Sequence, residues 1–147
     1  MGQIRTRDQG SALGTTEPTL ETRTRILEST KASIDSVEIQ ALEAARRGGF
    51  RDRIVGHIGL AVREIMVNAV IHGNGCDPYK KVVVTISRTP NKLRIEISDE
   101  GDAPEGLLKG SDRGVYLART FMDELYMRRE PVGWTTIIMV KSVHSAT

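Results

Sequence analysis

Two periods alternate along the chain and divide it into elements. From Arg53 to Asn74 (RIVGHIGLAVREIMVNAVIHGN) the apolar residues Ile54, Ile58, Ala61, Ile65 and Ala69 recur at three- and four-residue steps. That spacing predicts one long amphipathic helix. Asp52 is placed to be its N-cap, and His72-Gly73-Asn74-Gly75 to stop it in a left-handed cap. Ser33 to Arg47 carries Ile34, Val37, Leu42 and Ala45 at near-helical spacing and ends in Gly48-Gly49, a second helix with a glycine stop. Gly114 to Asp123 predicts a short third helix with Val115, Leu117, Ala118, Phe121 and Met122 available for burial.

Elsewhere the period is two. Lys81–Arg88 is β-branched, Leu93–Ser98 alternates strictly, and Thr89-Pro90-Asn91-Lys92 between them is turn chemistry, so the two predict an antiparallel hairpin. Glu124–Arg129 and Trp134–Lys141 predict two more strands around a Pro131-Val132-Gly133 turn, and Thr19–Ser29 predicts an edge strand. Met1 to Pro18 has no period and reads as a disordered tail, which leaves residues 19–147 as one domain. Consecutive hairpins without regular strand–helix alternation predict an α+β fold. It is a two-layer α/β sandwich, mainly antiparallel sheet with helices on one face.

Composition narrows the class. The 147 residues suit a single domain with a real core, at 39% hydrophobic and 27% charged. No uninterrupted apolar run approaches the roughly 20 residues of a membrane span, and the polar N-terminus does not resemble a secretory signal. Cys76 is the only cysteine, which excludes an intramolecular disulfide and a cysteine metal cluster and suits a reducing cytoplasm. A net charge of +2 and 4% aromatics argue against a dedicated nucleic-acid binder. Arg46, Arg47, Arg51 and Arg53, with Arg23 and Arg25, form either a solvated rim or a surface for a protein partner or phosphate. His57, His72 and His144 are too scattered for a metal site; His72 is expected to cap or pack at the helix end, and Cys76 to be inert.

The candidate chemistry begins with Glu64 and Asn68, polar residues four apart among the apolar ones of the long helix. They lie one turn apart on one side, about 6 Å along the axis. An asparagine oxygen is a neutral hard ligand for Mg²⁺, and a neighbouring carboxylate can orient or deprotonate a hydroxyl. E-x-x-x-N alone is equally explained by a solvated carboxylate and a local cap. Asp99-Glu100-Gly101 leaves a strand end, where a buried aspartate can accept from an exocyclic amine and Gly101 permits close approach. Lys109-Gly110-Ser111-Asp112-Arg113-Gly114 runs into a helix whose N-terminus welcomes an anion, although Ser111 or Asp112 as a plain N-cap explains it as well. Gly133-Trp134-Thr135 puts a hydroxyl before the last strand, at a phosphate, at a base pocket, or simply in a hairpin turn. Neither G-x-x-x-x-G-K-[ST] nor G-x-G-x-x-G after a strand is present.

The order of these motifs is more specific than any one of them. E64-I-M-V-N68-A-V-I-H72-G-N, then D99-E-G101, then G110-S-D-R-G114-V-Y-L with R119-T-F-M-D-E-L, then G133-W-T135, resembles the ATPase superfamily of gyrase, the ninety-kilodalton heat-shock chaperone, histidine kinases and MutL (GHKL). Within it the chain is most similar to the RsbW-like anti-sigma-factor serine/threonine kinases, over about Thr22 to Lys141. The resemblance implies a Bergerat ATP-binding fold with ATP and Mg²⁺ as cofactors. Asn68 would hold the metal, Glu64 would act as general base, Asp99 would bind the adenine amino group and Gly101 would admit the base. Gly110, Arg113 and Gly114 would wrap the phosphates, and Thr135 would support Asp99. It further implies a cytoplasmic homodimer that sequesters a sigma factor and phosphorylates a Ser or Thr of a STAS-type anti-anti-sigma partner, with no membrane or direct nucleic-acid role. Ala103, where many relatives carry a second glycine, and the short Gly101–Gly114 segment favour the alternative, a non-catalytic ATP-binding module that regulates by protein contact alone.

Overall fold

The computed structural model describes residues 17–101 and 113–143. The expected tail to Pro18, apart from Glu17 and Pro18, and the loop residues 102–112 lie outside them. Five strands and three helices follow in chain order: β1 (Glu21–Glu28), α1 (Lys31–Arg47), α2 (Asp52–Val67), β2 (Lys81–Arg88), β3 (Lys92–Asp99), α3 (Arg113–Phe121), β4 (Glu124–Arg129) and β5 (Thr135–Ser142). The strands form one sheet in the order β1-β2-β3-β5-β4, every neighbouring pair antiparallel, so β1 is an edge strand as its sequence predicts.

Alternation decides which face is dry. Val82, Val84 and Ile86 of β2, Leu93, Ile95 and Ile97 of β3, and Ile137 and Met139 of β5 are buried with Val37, Ala41, Ile58, Ala61, Ile65, Met66, Val115 and Ala118 of the helices. The layer is therefore helices over one face of an antiparallel sheet, the expected two-layer α+β sandwich. α2 packs between α1 and α3. Arg63 of α2 bonds both Asp35 and Glu38 of α1, each at 2.9 Å, while His57 stacks on Phe121 of α3 with ring centroids 4.3 Å apart.

Three local expectations change. Arg51, extended at φ −65° and ψ 153°, is the N-cap of α2 without a side-chain bond. Asp52 is instead the first helical residue, its carboxylate at the positive end of the helix dipole. The predicted single helix also changes type: α2 ends at Val67 and Asn68–Gly73 continues it as a π-helix. Counted together, Asp52–Gly73 is 22 residues and apolar enough by length and composition to cross a membrane, which a search for uninterrupted apolar runs misses. Its packing is that of a core helix, with 56% of that window buried inside the fold.

Register gathers one end of the sheet. Glu28 pairs with Lys81, Val82 with Asp99, and Asp99 with Thr135, so the end of β1, the start of β2, the end of β3 and the start of β5 meet under the π-helical end of α2.

Candidate functional site

The site is built on that π turn. Its bonds reach further than those of an α-helix: the Asn74 N–H donates to the Ala69 carbonyl, five residues back, at 2.8 Å, and just beyond it the Cys76 N–H donates to the Val70 carbonyl, six back, at 2.8 Å. An i→i+5 ladder stacks residues five apart, so Asn68 and Gly73 share a face. The left-handed residues come later than the sequence predicts. Asn74 is right-handed (φ −97°, ψ −2°), and Gly75 (φ 62°) and Cys76 (φ 59°) take the positive values. His72 is exposed and does not pack at the helix end.

Asn68 is 7% exposed, and its Oδ1 is a buried oxygen with no hydrogen-bond partner. Leaving such an acceptor unmet costs about 1–3 kcal/mol, so this oxygen is arranged for something that is not the protein. Glu64, one α-turn earlier, is half-buried and has no hydrogen bond or ion pair to another described residue. Among the described residues no group of three His, Cys, Asp or Glu side chains converges, and the Asn68 oxygen is a neutral hard donor of the kind Mg²⁺ accepts.

Facing the π turn is the turn after β3. The period of two that buries Leu93, Ile95 and Ile97 continues to Asp99, which stands in the apolar row at 6% exposure. Its Oδ1 accepts the Gly101 N–H at 2.8 Å. Burial pushes its carboxyl up to about 6, and the Gly101 N–H pulls the other way. Thr135, opposite Asp99 in the register, donates its hydroxyl to the Gly101 carbonyl at 2.8 Å and so joins β5 to the turn after Asp99.

Two glycines let these parts touch. A Cβ on Gly73 would stand 2.5 Å from the Asp99 carboxylate, and a Cβ on Gly101 would stand 2.0 Å from the Gly73 carbonyl oxygen. The sequence offers D-x-G as a reason for one close approach; the reciprocal need at Gly73 is visible only in the fold. Asn74 is likewise more than a helix stop. It is 2% exposed and hydrogen-bonded to Ser29, Lys81 and Glu100. Its partners lie up to 45 residues away in sequence, so no local signal announces them.

Of the phosphate-side residues, Arg113 is exposed and Gly114 half-buried at the start of α3, while Gly110 lies outside the described residues. The fold thus brings Asn68, Gly73, Asp99, Gly101 and Thr135 together around one sheet end. A cavity of about 490 Å³, lined by Ile34, Arg63, Val67, Val70, Ile71 and Pro78 among others, opens on the α1 side of the same helix and includes none of these five.

Residues 27–141 match the histidine kinase-like ATPase domain, which covers most of the chain. The chain belongs to that family. Among its relatives is the anti-sigma F factor of Clostridium perfringens, 33% identical over 101 residues that cover 60% of this chain and 72% of the relative. In fold it resembles the RsbU and RsbW domains of Rv1364c from Mycobacterium tuberculosis, with a TM-score of 0.64 at 21% identity, over 84% of this chain and 33% of that one. It also resembles the catalytic domain of histidine kinase ThkA, with a TM-score of 0.52 at 14% identity, over 82% and 97% of the two chains. The RsbW-like resemblance and the expected fold class are both borne out. In this family member, then, the π turn that begins at Asn68 and the turn that follows Asp99 meet in a glycine–glycine contact.

Proposed function

We propose that the chain is an anti-sigma factor that binds ATP–Mg²⁺ and phosphorylates a Ser or Thr of an anti-anti-sigma partner, releasing its sigma factor in a partner-switching cycle, and that it works as a homodimer. The observation that carries the reading is the orphaned Asn68 Oδ1, a buried neutral acceptor of the kind a Mg²⁺ ion with phosphate co-ligands takes. The glycine-only contact between Gly73 and Gly101 supports it, because it sets the π turn that begins at Asn68 directly against the turn that holds the buried Asp99.

In this mechanism Asn68 holds the metal and Asp99 accepts from the adenine amino group, which selects the base. Arg113 and Gly114, at the start of α3, would bind the phosphates, and Gly110, outside the described residues, would join them. Mg²⁺ supplies charge neutralisation at the triphosphate. Glu64 takes the proton of the accepting Ser or Thr hydroxyl, and its half-exposed position leaves it reachable by a second protein. One feature favours the second reading, an ATP-binding module without transfer: no described residue holds the Glu64 carboxylate in a fixed orientation.

Calorimetric titration of ATP with and without Mg²⁺ tests the reading. Wild type is expected to bind in the micromolar range with a metal-dependent increment, and Asn68→Ala to lose that increment. Identical titrations of the two proteins would refute the metal assignment. Incubation with ATP and an anti-anti-sigma protein, read as a one-phosphate mass gain on that protein, separates kinase from contact-only regulator.

A further inference from the structure

We propose that Asn74 is the positioning residue for base recognition, holding the peptide that follows Asp99 so that the carboxylate stays aimed at the base; this rests on the nucleotide reading above. Asn74 is buried, and three hydrogen bonds occupy its side chain. Its Oδ1 accepts the Glu100 N–H at 2.8 Å, and its Nδ2 donates to the Ser29 hydroxyl at 2.8 Å and to the Lys81 carbonyl at 3.0 Å. The partners close on one another. Ser29 donates to the Lys80 carbonyl at 2.6 Å, and the Lys81 N–H donates to the Glu100 carboxylate at 2.5 Å. One side chain at the end of the metal-binding helix thereby ties together the β1–α1 junction, the start of β2 and the turn after β3.

The bond to Glu100 is the one that matters for chemistry. Glu100 N belongs to the Asp99–Glu100 peptide, and the next N–H, that of Gly101, is the one that bonds Asp99 Oδ1. A rotation of the first peptide carries the second with it, so without Asn74 the Gly101 N–H drifts off the carboxylate. The other wall of the Asp99 side chain is Gly73, the residue directly before Asn74. Asn74 therefore sets both contacts that orient Asp99, while touching neither Asp99 nor the base.

The test is the preference for ATP over ITP, which carries a carbonyl in place of the exocyclic amine. Dissociation constants of both nucleotides with Mg²⁺ are measured by calorimetry for wild type, Asp99→Asn, Asn74→Ala, Asn74→Asp and Ser29→Ala. A hydrogen bond to a charged acceptor supports a preference of about tenfold or more in wild type. Asn74→Ala is expected to bring that preference to within about threefold of unity and to add nothing further on the Asp99→Asn background, as residues acting through one contact do. Asn74→Asp keeps an acceptor for the Glu100 N–H and is expected to retain the preference. Ser29→Ala removes a bond of the same network but not the one to Glu100, and is expected to lower the melting temperature with the preference intact. A wild-type preference in Asn74→Ala overturns the proposal, as does an equal loss in Ser29→Ala, which would make the network a scaffold only. Should Asn74→Ala not fold, loss of the preference in folded Asn74→Asp overturns it. If wild type and Asp99→Asn show the same ratio, base reading by Asp99 itself fails, and the proposal with it.

Discussion

Gly101→Ala is the substitution whose cost the coordinates state most directly. The new methyl carbon would lie 2.0 Å from the Gly73 carbonyl oxygen, 2.6 Å from its carbonyl carbon and 2.9 Å from its Cα. Comfortable separation begins near about 3.5 Å, so the two backbones must part by more than about 1 Å. Nothing flexible stands between them: one side is the π turn and the other a turn pinned by Thr135, Asp99 and Asn74. Overpacking of this kind costs about 1–3 kcal/mol, and backbone on both sides puts this case at about 3 kcal/mol. For a chain of this size that lowers the melting temperature by about 6–12 °C. Gly56→Ala supplies the control. Gly56 lies within α2, is exposed, and has nothing within 4 Å of the added methyl. Helix propensity alone should then stabilise by about 1 kcal/mol, raising the melting temperature by about 2–4 °C. Far-ultraviolet circular dichroism during heating reads both. A Gly101→Ala protein melting within about 1 °C of wild type, with nucleotide binding intact, would refute the close-contact argument.

Further outcomes follow from the same site. The Asp99 carboxyl is raised to about 6 from 3.8, so the folded state holds its proton over a range in which the unfolded chain has lost it. This group's contribution to stability is therefore full below about pH 4 and lost as pH rises through about 6, whereas Asp99→Asn should show no such loss in a pH series of denaturant midpoints. Because the ionised carboxylate is the acceptor, ATP affinity should rise as pH climbs from 5 to 7 in wild type and stay level in Asp99→Asn. Glu64→Gln should keep ATP affinity within about twofold and slow transfer to the partner by about 10²–10⁴-fold in a radiolabel assay; unchanged transfer would remove Glu64 from the chemistry. Ile58→Ala, at a fully buried core position of α2, should cost about 2–5 kcal/mol by urea titration and leave the nucleotide preference alone.

How far the sequence reaches is itself instructive. The strands and helices are legible because apolar residues recur with the period of the surface they bury, and each lies within about two residues of its expected bounds once the π-helical Asn68–Gly73 is counted with α2. Asp99 was legible too, since the alternation Leu93, Ile95, Ile97 places it on the inner face before any coordinate is known. The start of α2 differs from expectation by one residue because Asp52 satisfies the composition rule for a cap while Arg51 satisfies the backbone geometry. The π turn leaves no mark in an apolar pattern of three- and four-residue steps. The role of Asn74 depends on Ser29, Lys81 and Glu100, which only the closed sheet brings within reach.

The π turn also phases the molecule. Removing a single residue from Ala69–His72 would let the helix run on as an ordinary α-helix, with every strand still in register. Everything upstream would then be turned by about 100° relative to the sheet, the angle one residue spans. Asn68 would turn with it, and so would Ile58, Ala61 and Ile65, which are buried in the core; the extra residue of the π turn thus sets the apolar face of the helix and its one open carboxamide together, and its deletion should cost stability as well as the site.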